Sequence, residues 1–220
     1  MVERIFLGGG GNKEASKQID ELFINTIKEG RLEGIIYIPV DLASKPYENC
    51  LEWFSSIFAS RVSKIEMWIN LENKVLEGVE KKMAVYIGGG DTLRLMNLIR
   101  DSEFDKQIIS FVKNGGVVYG GSAGAIILGK DIRTAPEARN SEQTEGLDLI
   151  GGYSIACHYK TNNFSELMKI SKIVEGKILA IEENAGIAFN GREIKPVGSG
   201  KSFIIKEGLD NLPIGDIITS

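Results

Sequence analysis

Three times in the first 125 residues a short apolar run ends directly in glycines: "IFLGGGG" at 5–11, "VYIGGG" at 85–90 and "VVYGGSAG" at 117–124. A run that is apolar at every position, not at alternate ones, has to be covered on both faces, which is the condition of a strand inside a parallel sheet. Glycine at its end removes the side chain where the backbone must turn sharply or approach another group. Glycine is also abundant, 26 of 220 residues, against a usual ~7%. Because these glycines follow strands and are not scattered among serines, they mark strand-end turns and not a flexible linker.

The segments between the runs supply the helices. From Asn12 to Gly30 the spacing is helical, with Ile19, Leu22, Phe23 and Ile27 on one face. "GIIYI" forms a strand stopped by Pro39, "YENCLEWFSSIFASR" a helix turning Leu51, Phe54, Ile57 and Phe58 inward, and "SKIEMWIN" a third strand. A helix that Asp91 or Thr92 can cap follows the second glycine turn. "FDKQIISFVKNGG" reads as a helix closed by Gly115. Past about residue 150 the pattern changes to short strands and tight turns, with a hairpin signal at Asn190-Gly191. Nothing resembling a linker separates the parts. The expectation is one α/β domain over residues 1–220: a doubly wound, mostly parallel sheet with a β-rich C-terminal third. Ligands of such sheets sit at the carboxyl ends of the strands, where the glycine turns fall.

Composition excludes several classes. Net charge is −4, from 26 basic and 30 acidic residues, with no dense basic block, which speaks against a nucleic-acid surface. No apolar run reaches the roughly 20 residues of a membrane helix, and "MVERIFL" is a poor secretion signal, so no membrane contact and a cytoplasmic location are expected. Two cysteines, Cys50 and Cys157, are too few for a disulfide framework or a closed zinc site. The single histidine, His158, must serve any chemistry that needs an imidazole and rules out a multi-histidine metal centre.

Gly120-Gly121-Ser122-Ala123-Gly124 fits the G-x-S-x-G nucleophile elbow, a serine on a sharp strand-to-helix turn. The same pattern suits a serine that only caps the helix. A nucleophilic serine needs a base, and His158 is the one imidazole, at the end of the strand-like "YSIACHY". Cys157 and His158 face opposite ways on a strand, which disfavours a Cys–His pair.

With these residues in view, the chain resembles the peptidase E family of serine peptidases, which includes aspartyl dipeptidase and the cyanophycinases and has a glutamine-amidotransferase-like (flavodoxin-like) α/β fold. The matching blocks are "VYIGGGDTLRL", "YGGSAGA", "CHY" and "LAIEENAGIAF", in order over residues 80 to 190. The resemblance implies Ser122 as nucleophile, His158 as general base, and an oxyanion hole from the N–H of Ala123 with Gly89 or Gly90. Its third member is an acid, Glu183 in the late strand, with Glu137 in "TAPEARN" as the alternative; Glu182 would point the other way. It implies a small peptide substrate, no metal and no organic cofactor, and a homo-oligomer is a possible state. The family carries asparagine where this chain has Asp91, so Asp91 is a candidate substrate-binding residue, or only a helix cap.

Three other readings compete. One is a different amide hydrolase of the same fold, although those with an elbow cysteine differ at position 122. Another is a catalytically inactive relative. The third is a nucleotide- or phosphate-binding module built on "FLGGGGNKEASKQID", which lacks the phosphate-loop spacing.

Overall fold

The computed structural model describes residues 4–39, 46–174, 176–206 and 212–213. Its larger sheet has seven strands in the order β3-β2-β4-β5-β1-β8-β9. The strands are β1 (Ile5–Gly8), β2 (Gly34–Ile38), β3 (Lys64–Met67), β4 (Met83–Ile87), β5 (Val118–Gly121), β8 (Ala185–Phe189) and β9 (Ile194–Gly198). The first five in spatial order run parallel, and β8 and β9 continue the sheet antiparallel beyond β1. The helices are α1 (Lys13–Glu29), α2 (Tyr47–Phe58), α3 (Thr92–Asp101), α4 (Phe104–Lys113), α5 (Ala123–Leu128) and α6 (Phe164–Ile173).

Alternation along each strand divides the core in two. Ile5 and Leu7 of β1 join Ile36, Val85, Ile87 and Val118 against α3, α4 and α5 on one face. Phe6 joins Ile35, Tyr37, Tyr86 and Tyr119 against α1 and α2 on the other. The apolar runs therefore have the cover on both faces that their composition requires.

Three features depart from the sequence reading. Leu51 does not point inward: it is 36% exposed, and α2 buries Cys50, Phe54, Ile57 and Phe58 instead. A row through positions 50, 54, 57 and 58 follows the helical period and leaves 51 outside it. The C-terminal third also holds the helix α6, which buries Leu167, Ile170 and Ser171, where only short strands were expected. Finally, β6 (Tyr153–Ala156), β7 (Lys177–Ile181), β10 (Ser202–Ile205) and β11 (Leu212–Pro213) leave the main sheet and form their own, in the order β11-β10-β7-β6. Its Ile155, Leu179 and Ile181 still pack into the same core as Ile5 and Val118. No disulfide joins Cys50 and Cys157, and no described helix is long and apolar enough to cross a membrane.

Candidate active site

The carboxyl end of β5 delivers Ser122 with φ 50° and ψ −111°, a backbone conformation that is rare for a side-chain-bearing residue. Such a residue costs about 1–3 kcal/mol and persists only where its surroundings enforce it. Here they do. A Cβ on Gly120 would lie 2.5 Å from the backbone of Gly124, and one on Gly124 would lie 2.3 Å from the carbonyl oxygen of Ile87. Strand, turn and helix can close up only with hydrogen at both positions. The Ser122 N–H donates to Gly8 O at 3.0 Å, and its carbonyl receives the first helical N–H groups from Ala125 and Ile126.

Just past β6, His158 also has positive φ, 54°, and its N–H donates to Gly9 O at 2.9 Å. Two consecutive carbonyls at the end of β1 thus hold the backbones of Ser122 and His158. Their side chains meet: Ser122 Oγ lies 2.8 Å from His158 Nε2. On the far side of the ring, Nδ1 lies 3.1 Å from Oε1 of Glu183, in the turn between β7 and β8. A proton on Nδ1 donated to Glu183 leaves Nε2 free to accept from the serine hydroxyl. Both His158 and Glu183 side chains are about half exposed, at 48% each. The pair therefore contributes little to stability, and its contact holds the ring in one orientation.

The remaining candidates are placed as follows. Glu182 turns away, accepting from the N–H of Lys201 at 2.8 Å. Glu137 is not brought to His158 Nδ1; its Oε1 accepts from the N–H of Thr92 at 2.9 Å, at the start of α3. Asp91 is the N-cap of α3, its Oδ1 accepting from the N–H of Arg94 at 2.9 Å, and it lines neither cavity beside Ser122. The carboxylate expected to face a substrate is thus engaged as a helix cap. Gly89 packs on the serine, with a Cβ position 3.3 Å from Ser122 Cβ. Gly90 follows it in the same turn, and the N–H of Ala123 opens α5, where helical geometry leaves it without an intrahelical acceptor.

Two contributions carry no chemical signal in the sequence. A Cβ on Gly10, whose φ is +106°, would lie 2.2 Å from Cε1 of His158, so the backbone of the first glycine run forms the bed of the imidazole. In the structure this run lies against the histidine ring. The Cys157 thiol packs against the carbonyl oxygens of Gly8 and Ser122 at 3.7 and 3.5 Å, and burial pushes its pKa up to about 12. It stays protonated and braces the elbow, and is no rival nucleophile.

Cavities open on both sides of Ser122. One, of about 210 Å³, is lined by the 8–11 run, Trp53, Tyr86 and Tyr119 among others. The other, of about 350 Å³, is lined by Thr92, Glu137, Arg139 and Glu166 among others. Among the described residues no three His, Cys, Asp or Glu side chains are grouped as metal ligands.

Residues 5–197 match the profile of peptidase family S51. The chain belongs to that family. Among S51-type relatives it is 27% identical over 218 residues to a cyanophycinase of Geminocystis herdmanii, covering 91% of this chain and 79% of that one. The structure superposes on that of a peptidase from an acI-B1 Actinobacterium with a TM-score of 0.74 at 20% identity, covering 97% of this chain and 94% of the other. It also superposes on a peptidase E-like protein of Listeria monocytogenes with a TM-score of 0.64 at 18% identity, covering 91% and 100%. Those two likenesses establish the shared fold. The S51 assignment makes the protein a serine peptidase and agrees with the peptidase E resemblance read from residues 80 to 190.

Proposed function

We propose that this S51 peptidase hydrolyses dipeptides or short peptides through an acyl-enzyme, with Ser122 as nucleophile, His158 as general base and Glu183 as the acid that orients it. The observation that carries this reading is the continuous row from Ser122 Oγ to His158 Nε2, at 2.8 Å, and from Nδ1 to Glu183, at 3.1 Å. Ser122 Oγ attacks the peptide carbonyl as Nε2 takes its proton. The oxyanion forms against the N–H of Ala123 and of Gly89 or Gly90, donors fixed before the reaction begins. Nε2 then protonates the departing amine, leaving Ser122 acylated, and a water molecule deacylates it by the same transfers in reverse.

Likeness to a protein named cyanophycinase favours a second substrate, cyanophycin, for the same residues. A dipeptide library and cyanophycin, each offered to wild type and Ser122→Ala, test both. Turnover of dipeptides by wild type alone supports the first reading, turnover of cyanophycin alone the second. Activity that survives in Ser122→Ala removes the serine from either.

A further inference from the structure

The cavity of about 210 Å³ beside Ser122 differs in character from the one on the other side. Its described lining carries no Asp, Glu, Lys or Arg side chain, and its one imidazole, His158, is engaged with Ser122 and Glu183. Its walls are the bare backbone of the 8–11 glycine run. Its base is the Tyr86–Tyr119 pair, stacked with ring centroids 4.4 Å apart and 16° between planes. Trp53 lines it while remaining 40% exposed, although the next residue, Phe54, is fully buried. An exposed tryptophan lining a cavity presents ring surface that gains by being covered. A cavity of about 150 Å³ is known to hold a benzene ring, so the space suffices for an aromatic side chain.

Behind the tyrosines stands a group that the peptidase chemistry does not use. Asp20 of α1 is 3% exposed. Its Oδ2 accepts from Ser16 Oγ at 2.7 Å, and Ser16 itself lines the cavity. Oδ1 has no hydrogen-bond partner. The Tyr119 hydroxyl lies beside the carboxylate, on which Arg61 and Glu21 act; on its outer side Asp20 lines a separate cavity with Lys13, Glu14 and Lys17. Burial raises the Asp20 carboxyl to about 6, which leaves it mostly ionised at neutral pH. A second carboxylate entering the cavity would meet this negative charge across poorly screened space, whereas a neutral ring would not.

We propose that this cavity is a side-chain subsite for a neutral aromatic group of the substrate, roofed by Trp53, and that Asp20, acting through Ser16 and Tyr119, makes it reject a carboxylate. Asp20 is here a positioning residue and Trp53 a specificity-determining one. The inference rests on Ser122 being the reactive serine.

The test measures protection of Ser122 from a fluorophosphonate label by two boronic acids, 2-phenylethylboronic acid and 2-carboxyethylboronic acid. Either substituent can enter whichever cavity suits it, so no substrate orientation is assumed. In wild type the phenyl compound should protect at a concentration at least tenfold lower than the carboxyl compound. Trp53→Ala should shrink that ratio at least fivefold by weakening the phenyl compound. Asp20→Asn, close in shape, should shrink it by strengthening the carboxyl compound, a change that a merely structural role would not produce. Equal protection by the two compounds in wild type, or a ratio unmoved by both substitutions, overturns the subsite. Absence of labelling at Ser122 is a separate outcome: it defeats the serine-nucleophile reading and this inference with it.

Discussion

Gly10 lies so close beneath His158 that a Cβ there would come within 2.2 Å of the ring carbon between its two nitrogens. The first glycine run, 147 residues and more before the histidine in the chain, therefore decides where the imidazole can lie. Gly10→Ala should displace the ring from Ser122 and also strain a backbone at φ +106°. A misplacement of about 1 Å in a reacting geometry can cost on the order of 10²-fold. The expected result is a kcat lower by about that factor with folding retained, read from steady-state kinetics beside circular dichroism. Wild-type turnover in Gly10→Ala would show that the bed has no influence on the base.

The acid behind the histidine gives a second comparison. Glu183→Gln keeps the shape but removes the charge facing Nδ1, and loss of such a partner commonly lowers kcat by up to about 10⁴. Glu137→Gln changes a carboxylate that touches Thr92 at the start of α3 and should leave kcat within a few-fold. The reverse ranking of the two variants would assign the role to Glu137.

Asp91 should matter to stability and not to substrate choice. Asp91→Ala removes the side-chain acceptor for the N–H of Arg94, a loss of about 1 kcal/mol. In a chain of this size that lowers Tm by about 2–4 °C. Thermal unfolding checks the first part. A changed ratio of kcat/KM between aspartyl and alanyl dipeptides in Asp91→Asn, which keeps the cap, would contradict the second.

Asp20 predicts a pH dependence whose sign is the reverse of the usual carboxylate. Its folded value, about 6, lies above the ordinary 3.8 because burial disfavours the charged form. Between those values the folded state binds the proton more tightly than the unfolded state. The destabilisation is fully present above about pH 6, on the order of 3 kcal/mol from a shift of about two units, and is relieved as pH falls toward 4. Urea unfolding of wild type and Asp20→Asn should show the variant's advantage at pH 7 shrinking by about 2 kcal/mol at pH 4.5. A gap independent of pH would mean that the carboxyl is not held in this state.

How much of this was legible in the sequence follows from which forces are local. The elbow was readable because its glycines and serine are adjacent in the chain: Gly120 is needed by a contact within one strand-turn-helix unit, although Gly124 is needed by the neighbouring strand at Ile87. Ser122, His158 and Glu183 could be singled out by type and motif, and they stand within hydrogen-bond reach although 36 and 25 residues separate them. The bed at Gly10 was not readable, since a glycine announces only that something comes close, not what. The second sheet was hidden for a similar reason: the pairing of β7 with β6 and β10 depends on which edges meet, and no short stretch encodes that. Leu51 was misplaced because "CLEWFSSIF" offers two overlapping helical rows that share Phe54, Ile57 and Phe58 and differ only in whether Cys50 or Leu51 joins them; the structure buries Cys50.

If His158 activates Ser122, the rate of fluorophosphonate labelling reads that activation free of any assumption about substrate. Expected are a single labelled residue in wild type, none in Ser122→Ala, and labelling slowed at least 10³-fold in His158→Ala with the fold intact. Labelling of His158→Ala at close to the wild-type rate would contradict it.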